Sequence, residues 1–309
     1  MRARKPTSTS TCTSGYCGNA GEPNKPINKH TTMKSTFFAD CLRTILLLSI
    51  AQCASAQTVD SAKPLLKAHA HNDYLHERPL LDALKHGFCS VEADIFLVDG
   101  QLLVAHSFVE LSPDRTLEKL YLQPLRERVR QHNGHVYPNE TPFTLLIDIK
   151  KDGAKTYQAL SELLQKYNDV FSHNADGQRQ EHAVTAIISG DRPFEVINAD
   201  ECRIAGIDGR LADIDSNAPV LQMPLISDNW RKHFHWDGKG EIPSDEARKL
   251  KEIVQKVHAK GRRLRFWATP DTPAAWKVLN DANVDLINTD NLPELAEFLT
   301  KHDLQRATD

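Results

Sequence analysis

Short apolar runs alternate with longer amphipathic segments from Lys63 to the end of the chain. Runs of this length, bounded by polar and glycine residues, are typical of buried strands. Counting one hairpin return as part of its strand, the pattern predicts eight strands: LLKAHA (65–70), CSVEADIFLV (89–98) with its return QLLVAH (101–106), FTLLIDIK (143–150), VTAIISG (184–190), RIAGIDG (203–209), VLQMPLI (220–226), RLRFWAT (263–269) and VDLINTD (284–290).

The segments between these runs show the helical period. In the fourth of them, Leu250, Ile253, Val254 and Val257 recur at the spacing of one helix face, and Gly261 is placed to end the helix. Six helices are predicted, with shorter ones at 193–198 and 211–216: RPLLDALKH (78–86), TLEKLYLQPLRERVRQH (116–132), GAKTYQALSELLQKYNDVF (153–171), SDEARKLKEIVQKVHAKG (244–261), TPAAWKVLNDAN (272–283) and LPELAEFLTKH (292–302).

Eight strands alternating with helices over residues 57–309 predict a (β/α)8 TIM barrel in a single domain. A doubly wound open sheet has the same local rhythm. Its glycine-rich dinucleotide-binding turn is missing after the first strand, where the hexapeptide HAHNDY (69–74) stands instead. This difference favours the barrel.

The first 56 residues have a different character. Residues 1–32 are polar, without apolar period, and are predicted to be a non-native or disordered extension. Residues 33–56 have early basic residues, an apolar run at 44–51 and Ala54-Ser55-Ala56, which is the layout of a secretory signal peptide cleaved after Ala56. An uncleaved N-terminal anchor is the alternative. We therefore expect an exported protein, periplasmic or extracellular, without a membrane span after cleavage.

Amino-acid composition indicates a globular protein and argues against a nucleic-acid-binding one. The chain has 40% hydrophobic and 26% charged residues, which is typical of a soluble globular domain, and its net charge of −3 argues against a nucleic-acid partner. Of six cysteines, only Cys89 and Cys202 lie beyond the signal peptide. Two are too few for a disulfide framework, and we expect two buried free thiols.

Ionisable residues gather where the predicted strands end, which is where barrel enzymes carry their active residues. Strand alternation places Glu92 and Asp94 on one face, and it does the same for Asp148 and Lys150. Three carboxylates around one point form an oxygen-rich site suited to Mg²⁺ or Ca²⁺. The alternative is a buried salt-bridge cluster with Lys150 or an arginine.

Histidines supply what carboxylates cannot, because a pair of imidazoles can act as base and acid near neutral pH. His69 and His71 follow the first strand, and His106 closes the hairpin. Both His69 and His71 would face the same way in an extended segment, and His69 is nearer the strand end. Seven further histidines, taken singly, are interpreted as structural: His86, His132, His135, His173, His182, His258 and His302.

At these residues the chain resembles a known superfamily. HAHNDY followed by PLLDALKHGFCSVEADIFLVDGQLLVAH is similar to the first third of the phospholipase C-like phosphodiesterases, which include glycerophosphodiester phosphodiesterases and phosphatidylinositol phospholipases C. IDIK (147–150), RFWATPD (265–271) and DLINTD (285–290) resemble its later strands. HAHN is also similar to the opening of sphingomyelinase D-type members. The H-x-H-N-D-Y form marks a branch of its own, with Ala70 where glycerophosphodiesterases carry arginine.

The resemblance implies a role for each matching residue. It implies His69 and His106 as the catalytic acid and base, and one divalent cation, Mg²⁺ or Ca²⁺, held by Glu92, Asp94 and Asp148. The substrate would be bound by His71, Asn72, Lys150, Arg210 and Trp267.

The function expected on this basis is metal-dependent hydrolysis of a small-molecule or lipid phosphodiester, glycerophosphodiester- or phospholipid-like. Two alternatives stay open: a lyase that forms a cyclic phosphate, and a non-catalytic barrel that binds a phosphorylated ligand or glycan.

Overall fold

A computed structural model describes residues 62–175 and 178–306. Eleven strands follow one another along these residues: β1 (Leu65–Ala70), β2 (Phe88–Val98), β3 (Gln101–Val104), β4 (Phe143–Ile149), β5 (His173–Ala175), β6 (Gln178–Gln180), β7 (Val184–Gly190), β8 (Ala205–Gly209), β9 (Leu225–Asn229), β10 (Arg263–Trp267) and β11 (Ile287–Thr289).

Eight of these strands form a parallel barrel. The hydrogen-bonded order runs β10, β9, β8, β7, β4, β2, β1 and β11, with β3 added antiparallel to the outer end of β2. A bridge between Arg265 and Leu286 joins the two ends of this order and closes the ring. The predicted (β/α)8 TIM barrel is confirmed.

Helices connect the strands around the outside of the barrel: α1 (Leu81–Lys85), α2 (Gln123–Gln131), α3 (Gly153–Gln165), α4 (Phe194–Ala199), α5 (Trp230–His233), α6 (Ser244–Ala259), α7 (Pro273–Asp281) and α8 (Leu292–Arg306). A single π-helical turn, Glu118–Leu122, leads into α2. Within residues 62–175 and 178–306, we find no helix with the length and apolarity needed to cross a bilayer.

The barrel interior changes from apolar to polar along the strands. Leu146, Ile187, Leu225 and Leu286 form a small buried cluster of their own, separate from the larger core between strands and helices. Two residues further along β4 and β7, on the same strand faces, stand Asp148 and Ser189. The apolar cluster therefore lies beneath a polar layer at the carboxyl ends of the strands.

Some predicted boundaries differ from the structure. β9 begins after Pro224 rather than at Val220, because residues 219–223 form a turn and proline has no N–H for a strand ladder. The β5–β6 hairpin was not predicted. Cys89 is buried and free as expected, but Cys202 is exposed, which corrects the expectation of two buried thiols. The predicted extension at 1–32 and signal peptide at 33–56 lie outside the described residues.

Candidate active site

A cavity of about 200 Å³ opens at the carboxyl ends of the barrel strands. Eleven residues line it, and Ser189 and Arg265 are the two that the sequence did not single out. The other nine are predicted site residues: His71, Asn72, Glu92, Asp94, His106, Asp148, Lys150, Arg210 and Trp267. His69 is the one predicted site residue that is not in the lining.

Three carboxylates meet in this cavity because of strand register. Glu92 and Asp94 alternate inward on β2, and Asp94 pairs with Asp148 on neighbouring β4. One oxygen from each carboxylate lies within 4.8 Å of the other two. Such an all-oxygen donor set suits a hard divalent cation.

Cations of the protein already neutralise part of this cluster. Lys150 Nζ lies 2.7 Å from Asp94 Oδ2 and 3.4 Å from Asp148 Oδ1, and the Arg265 guanidinium lies 2.9 Å from Glu92 Oε2. The salt bridges that the sequence left as an alternative are therefore present. They do not use every oxygen, because Asp94 Oδ1 is buried and has no hydrogen-bond partner in the part of the chain that the structure describes.

The carboxylates differ in their electrostatics. Burial raises the pKa of Asp148 to about 6, although Lys150 opposes the change. Burial and the charge of Glu92 raise the pKa of Asp94 as well. Burial also acts against the ionised form of Glu92, but the Arg265 charge, the His69 hydrogen bond and the charge of His71 together outweigh it and lower the pKa of Glu92. Asp94 and Asp148 thus resist ionisation beside the ionised Glu92, and a further positive charge would stabilise their ionised forms. The residues present therefore fit a divalent cation.

Gly190, the last residue of β7, gives Asp148 its space. A Cβ atom at this position would lie 2.3 Å from Asp148 Oδ1 and 2.3 Å from the Ile149 carbonyl oxygen. The φ angle of Gly190 is +71°, in the left-handed region that favours glycine. Both the backbone turn and the position of Asp148 therefore depend on the absence of a side chain.

His69 and His71 both approach Glu92 but at different depths. Their Nε2 atoms lie 3.5 and 3.9 Å from Glu92 Oε2, so the two side chains do face the same way. His69 is fully buried on β1, where Nδ1 lies 2.7 Å from Ser90 Oγ, and burial lowers its pKa to about 3. The cavity opens beyond the strand end, so the later residue, His71, reaches it.

His71 is held by a carboxylate from the other end of the chain. Its Nδ1 lies 2.8 Å from Asp290 Oδ1, next to the end of β11. Burial acts to lower the pKa of His71, but the Asp290 hydrogen bond and the Glu92 charge outweigh it, and the net shift is upward. Asn72, which turns the chain in a left-handed conformation (φ 49°), also donates to Asp290 at 3.3 Å.

His106 lines the same cavity as His71 and is mostly exposed. Its Nδ1 lies 3.1 Å from Asp94 Oδ2 and 3.1 Å from the Tyr74 hydroxyl. That hydroxyl lies 2.6 Å from Asp94 Oδ2 and 2.7 Å from Asn72 Oδ1. Tyr74 thus connects the HAHNDY loop to Asp94, one of the three clustered carboxylates, and to His106.

The far wall of the cavity is built on a buried carboxylate. Asp208 on β8 is fully buried and accepts hydrogen bonds from the hydroxyls of Ser189 and Ser227 and from Arg210 at 2.8 Å. The Arg210 guanidinium lies over the Trp267 ring, 4.7 Å from its centroid. Arg210 is therefore fixed between a carboxylate and an aromatic face.

Two family models match the chain, each over a different segment of the sequence. The model of the AIM6-like phosphodiesterase domain matches residues 59–205, which include both β2 carboxylates, His71, His106 and Lys150. The model of the glycerophosphoryl diester phosphodiesterase family matches residues 263–293, which include Arg265, Trp267 and Asp290. Both models confirm the resemblance to the PLC-like phosphodiesterase superfamily.

Curated relatives of this chain carry the name altered inheritance of mitochondria protein 6. The protein from Eremothecium gossypii is 29% identical over 283 residues, which are 80% of this chain and 73% of that protein. The protein from Lachancea thermotolerans is 29% identical over 75% of this chain, which spans 65% of the relative's length. The protein from Saccharomyces cerevisiae is 28% identical over 74% of this chain and 69% of its own.

Among solved structures of PLC-like phosphodiesterases, the chain is similar to a glycerophosphodiester phosphodiesterase from Parabacteroides distasonis. The TM-score is 0.48 at 14% identity, over 78% of this chain and 100% of that one. A glycerophosphodiester phosphodiesterase from Agrobacterium tumefaciens gives a TM-score of 0.44 at 14% identity, over 76% of this chain and 100% of that one.

Four residues of this PLC-like site were not assigned from the sequence: Tyr74, Ser189, Arg265 and Asp290. Period-two alternation could have found Arg265, which stands two residues before Trp267 on a strand that already carried a predicted site residue. Asp290 ends the last predicted strand, VDLINTD (284–290), but the sequence analysis gives it no role. Nothing in the sequence connects Tyr74 with His106, since that contact depends on the loop conformation.

Proposed function

We propose that this protein cleaves a phosphodiester with the aid of one divalent cation, Mg²⁺ or Ca²⁺, and a pair of histidines. The observation that carries the proposal is the one cavity that two imidazoles, three carboxylates and Lys150 line together. Carboxylates with an unpaired oxygen suit a metal ion, and Lys150 and Arg210 suit the nonbridging oxygens of a phosphate. The matches to two phosphodiesterase family models support the same chemistry.

Each histidine has a carboxylate on one ring nitrogen. Asp290 stands at Nδ1 of His71, and Asp94 stands at Nδ1 of His106. With Nδ1 protonated, each imidazole donates to its carboxylate and directs Nε2 to the substrate. One Nε2 can take the proton of the attacking hydroxyl while the other protonates the leaving oxygen.

A cation held by Glu92, Asp94 and Asp148 would stabilise negative charge on the phosphoryl oxygens. Lys150, which reaches two of these carboxylates, can contact the same oxygens from the protein side. Arg210 and Trp267 form the wall that would contact one alcohol group of the substrate.

Our proposal assigns the histidine pair to His71 and His106, rather than to the His69 and His106 pair that the sequence predicted. The reason is access: His69 is fully buried, and its Nδ1 and Nε2 face Ser90 and Glu92. We propose that His69 positions Glu92 instead.

The assignment is tested with histidine-to-alanine variants under saturating Mg²⁺. His71→Ala and His106→Ala should each reduce kcat by about 10²–10⁴-fold, the usual contribution of a positioned acid or base. The double variant should lose less than the product, because the pair acts as a unit. If His71→Ala stays within tenfold of wild type while His69→Ala is inactive, the original assignment is right.

The reaction itself is tested by treating a panel of glycerophosphodiesters and lysophospholipids with protein from which metal has been removed, and with Mg²⁺ or Ca²⁺ added back. Phosphorus NMR of the products separates hydrolysis, which yields a phosphomonoester, from attack by a neighbouring hydroxyl, which yields a cyclic phosphate. Binding without any turnover across the panel would instead indicate a phospho-ligand-binding barrel. The substrate is proposed to be a small molecule or a lipid, and export is proposed from residues 33–56 alone.

A further inference from the structure

An arginine stands inside the barrel beside the carboxylate cluster. Arg265 on β10 is only 2% exposed, and it reaches across the barrel to Glu92 on β2. Its Nη2 donates to Glu92 Oε2 at 2.9 Å, and its Nε donates to Asn288 Oδ1 at 2.9 Å. Because a buried charge is costly unless it is paired, this arginine is built to face Glu92.

The contacts of Glu92 are one-sided. The Arg265 guanidinium and the Nε2 atoms of His69 and His71 all approach Oε2. In the ranges described, the Arg265 hydrogen bond to the Glu92 carboxylate ends on Oε2, and none is found on Oε1. One carboxylate oxygen is thus held by the protein while the other is left for a ligand.

Arg265 also changes the charge balance of the cavity. Glu92, Asp94 and Asp148 carry three negative charges, and Lys150 and Arg265 carry two positive ones, with Arg210 cancelled by Asp208. The cluster then has a net charge of −1 with neutral histidines. A divalent cation makes it +1, which attracts a phosphodiester anion. Without Arg265 the loaded cluster would be neutral.

We propose that Arg265 is a positioning residue that holds Glu92 by one oxygen and sets the charge of the cluster. It weakens the binding of the divalent cation and strengthens the binding of the phosphodiester. This inference rests on the proposed metal-dependent function. The positive charge of Arg265 repels the cation and attracts the phosphodiester anion, so it changes the two affinities in opposite directions.

The magnitude follows from Coulomb's law. A unit charge within roughly 6 Å of a divalent ion, at an effective dielectric constant of about 20, changes the ion's affinity by at least about tenfold even after substantial relaxation. The effect on a singly charged anion has the opposite sign. If Arg265 had only a structural role, replacing it would weaken the binding of both ligands together.

The test measures Mg²⁺ binding to metal-free protein by titration calorimetry at pH 8, and binding of dimethyl phosphate to Mg²⁺-saturated protein by phosphorus NMR. Arg265→Gln removes the charge but keeps an amide donor for Glu92, and Arg265→Met is the second neutral variant. Each should bind Mg²⁺ about tenfold tighter than wild type and dimethyl phosphate about tenfold more weakly.

Arg263→Gln is the matched control. Arg263 is on the same strand two residues earlier and donates to Thr144 Oγ1 at 3.1 Å, and the acidic residue that acts on its charge is Asp285 rather than a member of the cluster. Its removal should change both affinities by less than about threefold, since it is roughly 6 Å farther along the strand. Arg265→Lys, which keeps the charge, should also stay within about threefold of wild type.

The outcomes separate two failures. If wild type does not bind Mg²⁺, or if Asp148→Asn binds it as well as wild type, the proposed metal site is wrong and this inference fails with it. If wild type binds Mg²⁺ but the neutral Arg265 variants bind it equally or more weakly, only the inference on Arg265 fails.

Discussion

Replacing Gly190 with alanine should displace Asp148 and strain the end of β4, because the added Cβ would meet both Asp148 Oδ1 and the Ile149 carbonyl oxygen. The added Cβ would lie 2.3 Å from Asp148 Oδ1, so that oxygen would have to retreat by about 1.1 Å to reach the 3.4 Å of ordinary van der Waals contact. The left-handed backbone costs a non-glycine residue about 1–2 kcal/mol. Relieving the close contact costs about 1–3 kcal/mol more.

Gly100→Ala isolates the backbone part of this cost. Gly100 has a φ of +78° in the β2–β3 turn, and a Cβ there would meet no atom within 4 Å. Thermal unfolding should therefore show a fall in Tm of roughly 2–8 °C for Gly100→Ala and roughly 4–20 °C for Gly190→Ala. The difference between the two variants reports the close contact alone.

The two variants should also differ in Mg²⁺ binding. Displacing one ligand by about 1 Å should weaken the affinity and can reduce kcat by about 10²-fold, whereas Gly100→Ala should leave both unchanged. Equal losses of stability and equal Mg²⁺ affinity in the two variants would refute the reasoning, because Asp148 would then tolerate a side chain beside it.

Four further results are expected. Chelation should abolish turnover and Mg²⁺ or Ca²⁺ should restore it, and full activity in Glu92→Ala would exclude the proposed site. Trp267→Ala should mainly raise KM in steady-state assays, whereas a core role would show as a large loss of stability. Burial raises the pKa of Asp73 to about 7, above its unfolded value. The free energy of unfolding should therefore fall as the pH rises from about 4 to about 7. Asp73→Asn should therefore gain roughly 2–4 kcal/mol relative to wild type between pH 4 and pH 8 in denaturant unfolding, and a difference independent of pH would contradict the shift. N-terminal sequencing of exported protein should begin at or near Gln57, and full-length protein retained in the cytoplasm would count against the signal peptide.

The barrel could be predicted from the sequence because its strands are buried on both sides. A continuous apolar run such as that of β4 leaves little choice of structure, and polar residues within it are easily noticed. For the same reason Glu92, Asp94 and Asp148 could be placed on shared faces without coordinates. Prediction was weakest at β9, where Asp228 and Asn229 are polar residues at the strand end and the apolar run begins in a turn.

Depth within the barrel could not be derived from the same rule. Alternation correctly gives His69 and His71 the same direction, but it does not tell how far each lies from the mouth. That distance depends on where neighbouring strands end and on the left-handed turn at Asn72. Contacts between distant segments, such as Arg265 with Glu92, depend on the closed ring and have no local sequence signal.

The seam between β10 and β11 has a consequence for the order in which the protein becomes functional. A single bridge, Arg265 to Leu286, closes the ring there, and His71 meets Asp290 from 219 residues away only after β11 has paired with β1. A growing chain can thus form the contact between His71 and Asp290 only after residue 290 has been synthesised. Recovery of the proposed activity during refolding would then report when the ring closes. A chain cut before β11 could form seven strands of the barrel, but His71 would lack its carboxylate partner.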